Sequence, residues 1–107
     1  MDVQNAVLAG LLHDLVRIAD PLSVWLFSHK ESNDGSCSAA KFCLVIADGE
    51  PDRLEQELYL EIDSPISFDV VVYTQEQWRS SLAKPMSFAS RVQEKGCRLY
   101  EKNQTHK

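Results

Sequence analysis

The sequence lacks any apolar run close to the ~18 residues that a membrane-spanning helix needs, which argues against a transmembrane class. It also lacks a basic segment at its start, and the early apolar residues are interrupted by His13 and Asp14, so the N-terminal region predicts a helix and not a signal peptide. The three cysteines form no Cys-x-x-Cys pair, and an odd number suits neither a disulfide framework nor a zinc ribbon. We therefore expect free thiols in a reducing, cytoplasmic location.

Basic side chains are in short supply. Eleven Lys and Arg stand against sixteen Asp and Glu, a net charge of −5, which disfavours a broad phosphate-binding surface. We expect neither a nucleic-acid nor a membrane partner. A hydrophobic fraction of 44% and a charged fraction of 25% are typical of a soluble globular protein, which excludes disordered and collagen-like classes. The length of 107 residues predicts one domain over 1–107, with a polar, frayed end at 102–107.

Hydrophobic periodicity predicts helices and strands in alternation. A wide apolar stripe predicts a first helix that packs on a sheet, on a partner, or on both. The order indicates a mixed α/β or α+β domain, a sheet of three to four strands with helices packed on it. The predicted elements are a helix at 3–19, a strand at 22–27, a polar loop at 29–40, a strand at 41–47, a helix at 52–62, a strand at 66–73, a short helix after the capping box of Thr74 and Gln77, a helix from Ser87 to Gly96, and a short edge strand at 97–101.

Asp69 is the most informative single residue, because it interrupts the otherwise apolar strand ISFDVVVY. Strand alternation places it on one face with Ser67, Val71 and Tyr73. Since burying an unpaired carboxylate costs several kcal/mol, Asp69 either faces water, is hydrogen-bonded, or belongs to a functional site.

Four segments in order resemble the minimal nucleotidyltransferase family, which has the polymerase-beta-like fold. They are VWLFSHK, KFCLVIADGE, FDVVVYT and QEKGCRLYE, and together they span roughly residues 5–101. The family has a Gly-Ser signature after its first strand, an Asp-x-Asp pair on the second, one further carboxylate on the third, and a closing Glu-x-Gly-x-x-Leu-Tyr. The resemblance implies a site in which carboxylates hold Mg²⁺ against nucleotide phosphates.

The departures from the family pattern predict that this chemistry is lost. The Asp-x-Asp positions fall on Ala39 and Lys41 in one register and on Lys41 and Cys43 in another, so neither supplies an acid. Phe27 replaces the signature glycine. These departures leave only Asp69, as a vestigial catalytic candidate, and Ser28 of the family's core signature, and they predict no metal site. Mg²⁺ and ATP are implied only if the chain is an active or altered enzyme that transfers a nucleoside monophosphate.

Three further readings stay open. Glu31, Asp34 and Asp48 could rebuild a metal cluster from neighbouring loops.

Alternatively, Ser28, Lys30 and Lys41, together with His29, could bind a nucleotide or another anion without metal.

The third reading, which we favour, is that the domain has lost nucleotidyl transfer and acts by binding a protein. The resemblance implies a helical partner of the HEPN toxin class, with this chain as the antitoxin. Self-association is equally allowed. The surfaces we expect to be used are the apolar stripe of 3–19 and the edge segment CRLYE.

Overall fold

The computed structural model describes residues 6–31, 33–34 and 37–102. Parts of three sequence predictions lie outside the described residues: positions 3–5 of the first helix, positions 32, 35 and 36 of the loop, and positions 103–107 of the polar end. The elements in the described part are α1 (Ala6–Ala19), β1 (Ser23–Glu31), β2 (Cys37–Ile46), α2 (Pro51–Glu61), β3 (Ser67–Thr74), α3 (Gln75–Leu82), α4 (Phe88–Lys95) and β4 (Cys97–Glu101).

The described strands form one mixed sheet in the order β3-β2-β1-β4. β1 runs antiparallel to β2 and β4, whereas β2 and β3 are parallel and are joined through α2. α1 and α2 pack on one face of the sheet, and α3 and α4 pack on the other. The predicted fold class is confirmed as a four-stranded mixed sheet with four helices packed on it.

Two apolar clusters lie on the two faces, and alternate residues of β2 enter each of them. Phe42 and Leu44 belong to the α1–α2 side, while Cys43 and Val45 belong to the α3–α4 side. A strand buried on both faces needs a continuous apolar run, which explains the sequence FCLVI. β2 is therefore the centre of the fold.

The polar loop predicted at 29–40 is wrong in most of its length. β1 continues to Glu31 and β2 begins at Cys37, so that His29 pairs with Ala40 and Lys30 with Ala39. A register shift between Leu26 and Ser28 marks a β-bulge. The segment is polar because its side chains face water, and exposure does not prevent backbone pairing.

The helix-boundary predictions are confirmed. Pro51 begins α2, and both hydrogen bonds of the capping box form: the Gln77 backbone N–H donates to Thr74 Oγ1 at 3.1 Å, and the Thr74 N–H donates to Gln77 Oε1 at 3.0 Å. Ser87 caps α4. Gly96 follows α4 with a φ of −79°, so space is what requires glycine there: a Cβ would lie 2.6 Å from the Val92 carbonyl oxygen.

The two edge strands of the sheet, β3 and β4, differ in how their outer edges are protected. At the β3 edge, the Val70 N–H donates to Tyr59 Oη at 2.8 Å, and the Val72 N–H donates to Glu55 Oε2 at 2.9 Å. Side chains of α2 thus occupy donors that another strand would otherwise use. At the opposite edge, β4 is the short strand predicted at 97–101.

Lys102 is not frayed, contrary to the sequence prediction for 102–107. Its backbone N–H donates to the Leu22 carbonyl at 2.8 Å, and its ammonium group lies 3.2 Å from an Asp20 carboxylate oxygen. These two contacts fix the chain just after β4 against the start of β1.

Candidate functional site

Three predicted site residues lie side by side in one row across the sheet. Ser28 on β1 pairs with Lys41 on β2, and Lys41 pairs with Asp69 on β3. Directly paired residues project to the same side of a sheet, with Cβ atoms about 5 Å apart. The next row places Lys30 beside Ala39, on the same side. The structure thus brings together all four predicted residues.

We call the four side chains of Ser28, Lys30, Lys41 and Asp69 the polar shelf. Lys41 lies two residues before Cys43, so the shelf occupies the sheet face on which α3 and α4 pack. The helices bury Cys43 and Val45 but leave all four shelf residues exposed. The shelf is an open surface beside the apolar cluster, not an enclosed pocket.

The charges on the shelf face water. Among the described residues, neither Lys41 nor Asp69 forms an ion pair within 4.0 Å. Asp69 therefore carries a solvated carboxylate on an open strand face. Further along the same strand face, Tyr73 is partly buried, and this burial raises the pKa of its phenol.

The sequence left two registers open for the family's Asp-x-Asp pair, one on Ala39 and Lys41 and the other on Lys41 and Cys43. These positions differ in their exposure to solvent. Cys43 is 0% exposed, and its burial raises the pKa of the thiol to about 12, which favours the neutral thiol over the thiolate that ligates metals. Ala39 and Lys41 lie on the open side. The two rows of paired residues that form the shelf contain a single carboxylate, that of Asp69.

The rebuilt metal cluster is contradicted by the topology. Glu31 and Asp34 lie at the hairpin end of β2, whereas Asp48 follows its other end, about 30 Å away at 3.3 Å per residue. Across the described ranges, no three His, Cys, Asp or Glu side chains are grouped so that they could hold a metal ion.

His29 does not join the lysines of the shelf, contrary to the anion-site hypothesis that included it. It pairs with Ala40, which belongs to the opposite apolar cluster, so its ring lies on the other side of the sheet from Ser28. Its Nε2 atom lies 3.8 Å from a Glu31 carboxylate oxygen. Phe27, which replaces the signature glycine, packs its ring edge-on against Phe88, with 5.0 Å between the ring centroids.

The sequence reasoning missed one feature entirely, a cleft at the other end of the sheet lined by both tryptophans and by Arg79, Arg98 and Lys102. Arg79 comes from α3, whereas Arg98 and Lys102 come from β4 and the residue after it, about twenty positions further along the chain. A basic cluster assembled this way leaves no local run of charge, so no sequence motif signals it.

The fold and the shelf together define a small mixed α+β protein with an open polar sheet face. Comparison with known proteins finds no matching protein-family model, no matching curated protein and no matching solved structure. No helix in the described ranges is long and apolar enough to cross a membrane.

Proposed function

We propose that this chain is a nucleotidyltransferase-like domain that has lost metal-dependent nucleotidyl transfer and acts by binding a protein partner. The observation that carries the first half is the pairing of Lys41 with Asp69 across the parallel strands β2 and β3. In the family that the sequence resembles, a second-strand acid and the third-strand acid share Mg²⁺. A lysine beside Asp69 puts a positive charge where the ion would bind, and a single exposed carboxylate makes a weak magnesium site.

Isothermal titration calorimetry with ATP tests the lost chemistry. We expect no heat that depends on Mg²⁺ when matched titrations are run in magnesium and in a chelator. A Mg²⁺-dependent heat that disappears in Asp69→Ala would contradict the proposal and restore the reading as an active or altered enzyme.

Metal-free anion binding is the second candidate, favoured by one observation. Lys30 and Lys41 lie in adjacent rows on the same side of the sheet, together with the Ser28 hydroxyl. Two ammonium groups and a hydroxyl can bind a phosphate without a divalent ion. In the chelator arm of the titration, this candidate requires a heat with ATP that Lys41→Ala weakens and Arg17→Ala, on the far side of the sheet, does not.

The partner half of the proposal depends on α2 and not on α1. The sequence predicts that the apolar stripe of α1 is a candidate partner surface, but its described large apolar residues are buried or pack on the cluster between the sheet, α1 and α2. By contrast, positions 48–63 hold seven carboxylates and one arginine, and Leu60 on α2 is 87% exposed. An acidic surface with a projecting leucine fits a helical partner with a basic face, which we propose to be of the HEPN type. The same proposal includes a cytoplasmic location.

Charge reversal on α2 tests the partner surface. Glu57→Lys/Glu61→Lys should reduce capture of a helical, basic protein from native lysate at least tenfold, because rim charges control encounter and are screened by salt. The matched control is Glu76→Lys/Glu94→Lys, which reverses the same number of exposed acids on α3 and α4. The measurement is quantitative mass spectrometry of the captured proteins at low and high salt.

Two outcomes would contradict this surface. One is that no captured protein responds to the α2 charges more than to the control. The other is a stable homodimer, detected by light scattering of the purified chain, that the α2 variant dissociates, because α2 would then be a self-association surface.

A further inference from the structure

A cleft of about 470 Å³ lies at the end of the sheet opposite to the polar shelf. This volume falls within the range of pockets that bind small molecules. On β2, the buried Cys43 lies between Lys41 of the shelf and Val45 of the cleft, and none of the four shelf residues lines the cleft. The side chains that matter most to the argument are Ser23, Trp25, Trp78, Arg79, Arg98 and Lys102.

The position of the cleft in the fold is one at which open α/β sheets commonly bind ligands. β2, β3 and β4 run in the same direction, because β2 and β4 are both antiparallel to β1 and β3 is parallel to β2. The cleft is lined near the carboxyl ends of all three, by Val45, Gln75 and Glu101. Ligands of open sheets bind outside the carboxyl ends of the strands.

Aromatic surface forms one wall of the cleft. The rings of Trp25 and Trp78 lie 6.0 Å apart between centroids and are tilted by 37°. Trp78 is buried, whereas Trp25 is only partly buried, and both line the cleft. The Arg98 guanidinium carbon lies 5.8 Å from the centre of the Trp25 ring, a cation–π contact that holds the cation beside the aromatic wall.

The cations of the cleft are available to a ligand. Among the residues that the structure describes, Arg98 forms an ion pair with Glu101 at 3.4 Å and Lys102 with Asp20 at 3.2 Å, and those carboxylates are 62% and 74% exposed. Exposed ion pairs of this kind contribute about 0–1 kcal/mol, so a buried anion can compete for both cations. Within the described residues, Arg79 has no carboxylate oxygen within 4.0 Å.

We propose that this cleft binds a small aromatic phosphate, with its ring against the wall formed by Trp25 and Trp78 and its phosphate bound by Arg79 and Arg98. Arginine matches phosphate geometry with two parallel hydrogen bonds, and a second arginine suits the double charge of the group. The site goes beyond the proposed function, because neither the polar shelf nor α2 contributes to it.

Intrinsic fluorescence tests the proposal directly, since the chain has two tryptophans and both line the cleft. The probes are phenyl phosphate, inorganic phosphate and phenol. We expect a saturable change with phenyl phosphate at concentrations at which the other two give none. Arg79→Gln and Arg98→Gln should each weaken binding at least tenfold, whereas Arg91→Gln, an exposed arginine of α4 outside the cleft, should leave it unchanged.

Three results would overturn the proposal: no saturable change with phenyl phosphate up to millimolar concentration, equal affinity for inorganic phosphate, or equal effects of Arg79→Gln and Arg91→Gln. Circular dichroism of each variant confirms that the fold is retained.

Discussion

Phe42→Ala is expected to lower the free energy of unfolding by about 3–5 kcal/mol, which is a large part of the stability of a domain this size. Phe42 is 0% exposed and lies on the central strand β2, facing the cluster formed with α1 and α2. Removing its ring leaves a cavity that the surrounding sheet and helices cannot fill without distortion. Urea denaturation followed by circular dichroism measures the loss.

The matched control is Phe68→Ala, which removes the same ring from β3 at the rim of the same cluster. Phe68 is only partly buried, and its main aromatic contact is Tyr59, at 5.4 Å between ring centroids. We expect a loss of about 1–2 kcal/mol, because less area leaves water and the site can relax. Equal losses in the two variants would contradict the placement of β2 at the centre of the sheet.

The sequence predicted the buried elements well because burial determines their pattern. The run FCLVI has few environments open to it other than a strand covered on both faces, and that is where β2 lies. The capping box of Thr74 and Gln77 acts within one turn, so no tertiary context was needed to predict it. The placement of Asp69 on a face with Ser67, Val71 and Tyr73 follows from strand alternation and agrees with the observed pairing.

The sequence could not predict features in which exposed residues pair or meet across the fold. The strand ends at His29, Lys30 and Glu31 are polar because both of their sides meet water, so a polar strand resembled a loop. The alignment of Ser28, Lys41 and Asp69 depends on the β-bulge after Leu26, and no residue type at that point of the sequence predicts a bulge. The cleft cations meet only because β4 returns beside β1.

The segregation of charge has the same origin. Seven carboxylates cluster in positions 48–63, whereas six Lys and Arg against three Glu occupy positions 75–102. The crossover through α2 and the return through α3, α4 and β4 place these stretches on opposite faces and edges of the sheet. A net charge of −5 therefore describes neither surface, which is why a basic cleft and an acidic helix coexist.

Lys41→Asp is expected to create a divalent-ion site that the unmodified chain lacks. The substitution places a carboxylate directly opposite Asp69 in the parallel pair of β2 and β3. Without metal, two like charges in one row should destabilise the fold by about 0.2–1 kcal/mol. When Mn²⁺ is added, the carboxylate introduced at position 41 and that of Asp69 can coordinate the same ion. We expect a dissociation constant in about the millimolar range. Electron paramagnetic resonance of free Mn²⁺ measures the affinity, and the melting temperature should rise with added metal.

Lys30→Asp is the matched control, because it makes the same charge change one row away, opposite Ala39 and not opposite Asp69. It should bind Mn²⁺ no better than the unmodified chain, and Lys41→Asp/Asp69→Asn should lose the gain. If Lys30→Asp binds Mn²⁺ as well as Lys41→Asp does, added charge alone accounts for the effect and the register of Lys41 with Asp69 has no special role. Binding of Mn²⁺ by the unmodified chain through Asp69 would show instead that the shelf still holds metal, against the proposed loss of nucleotidyl transfer.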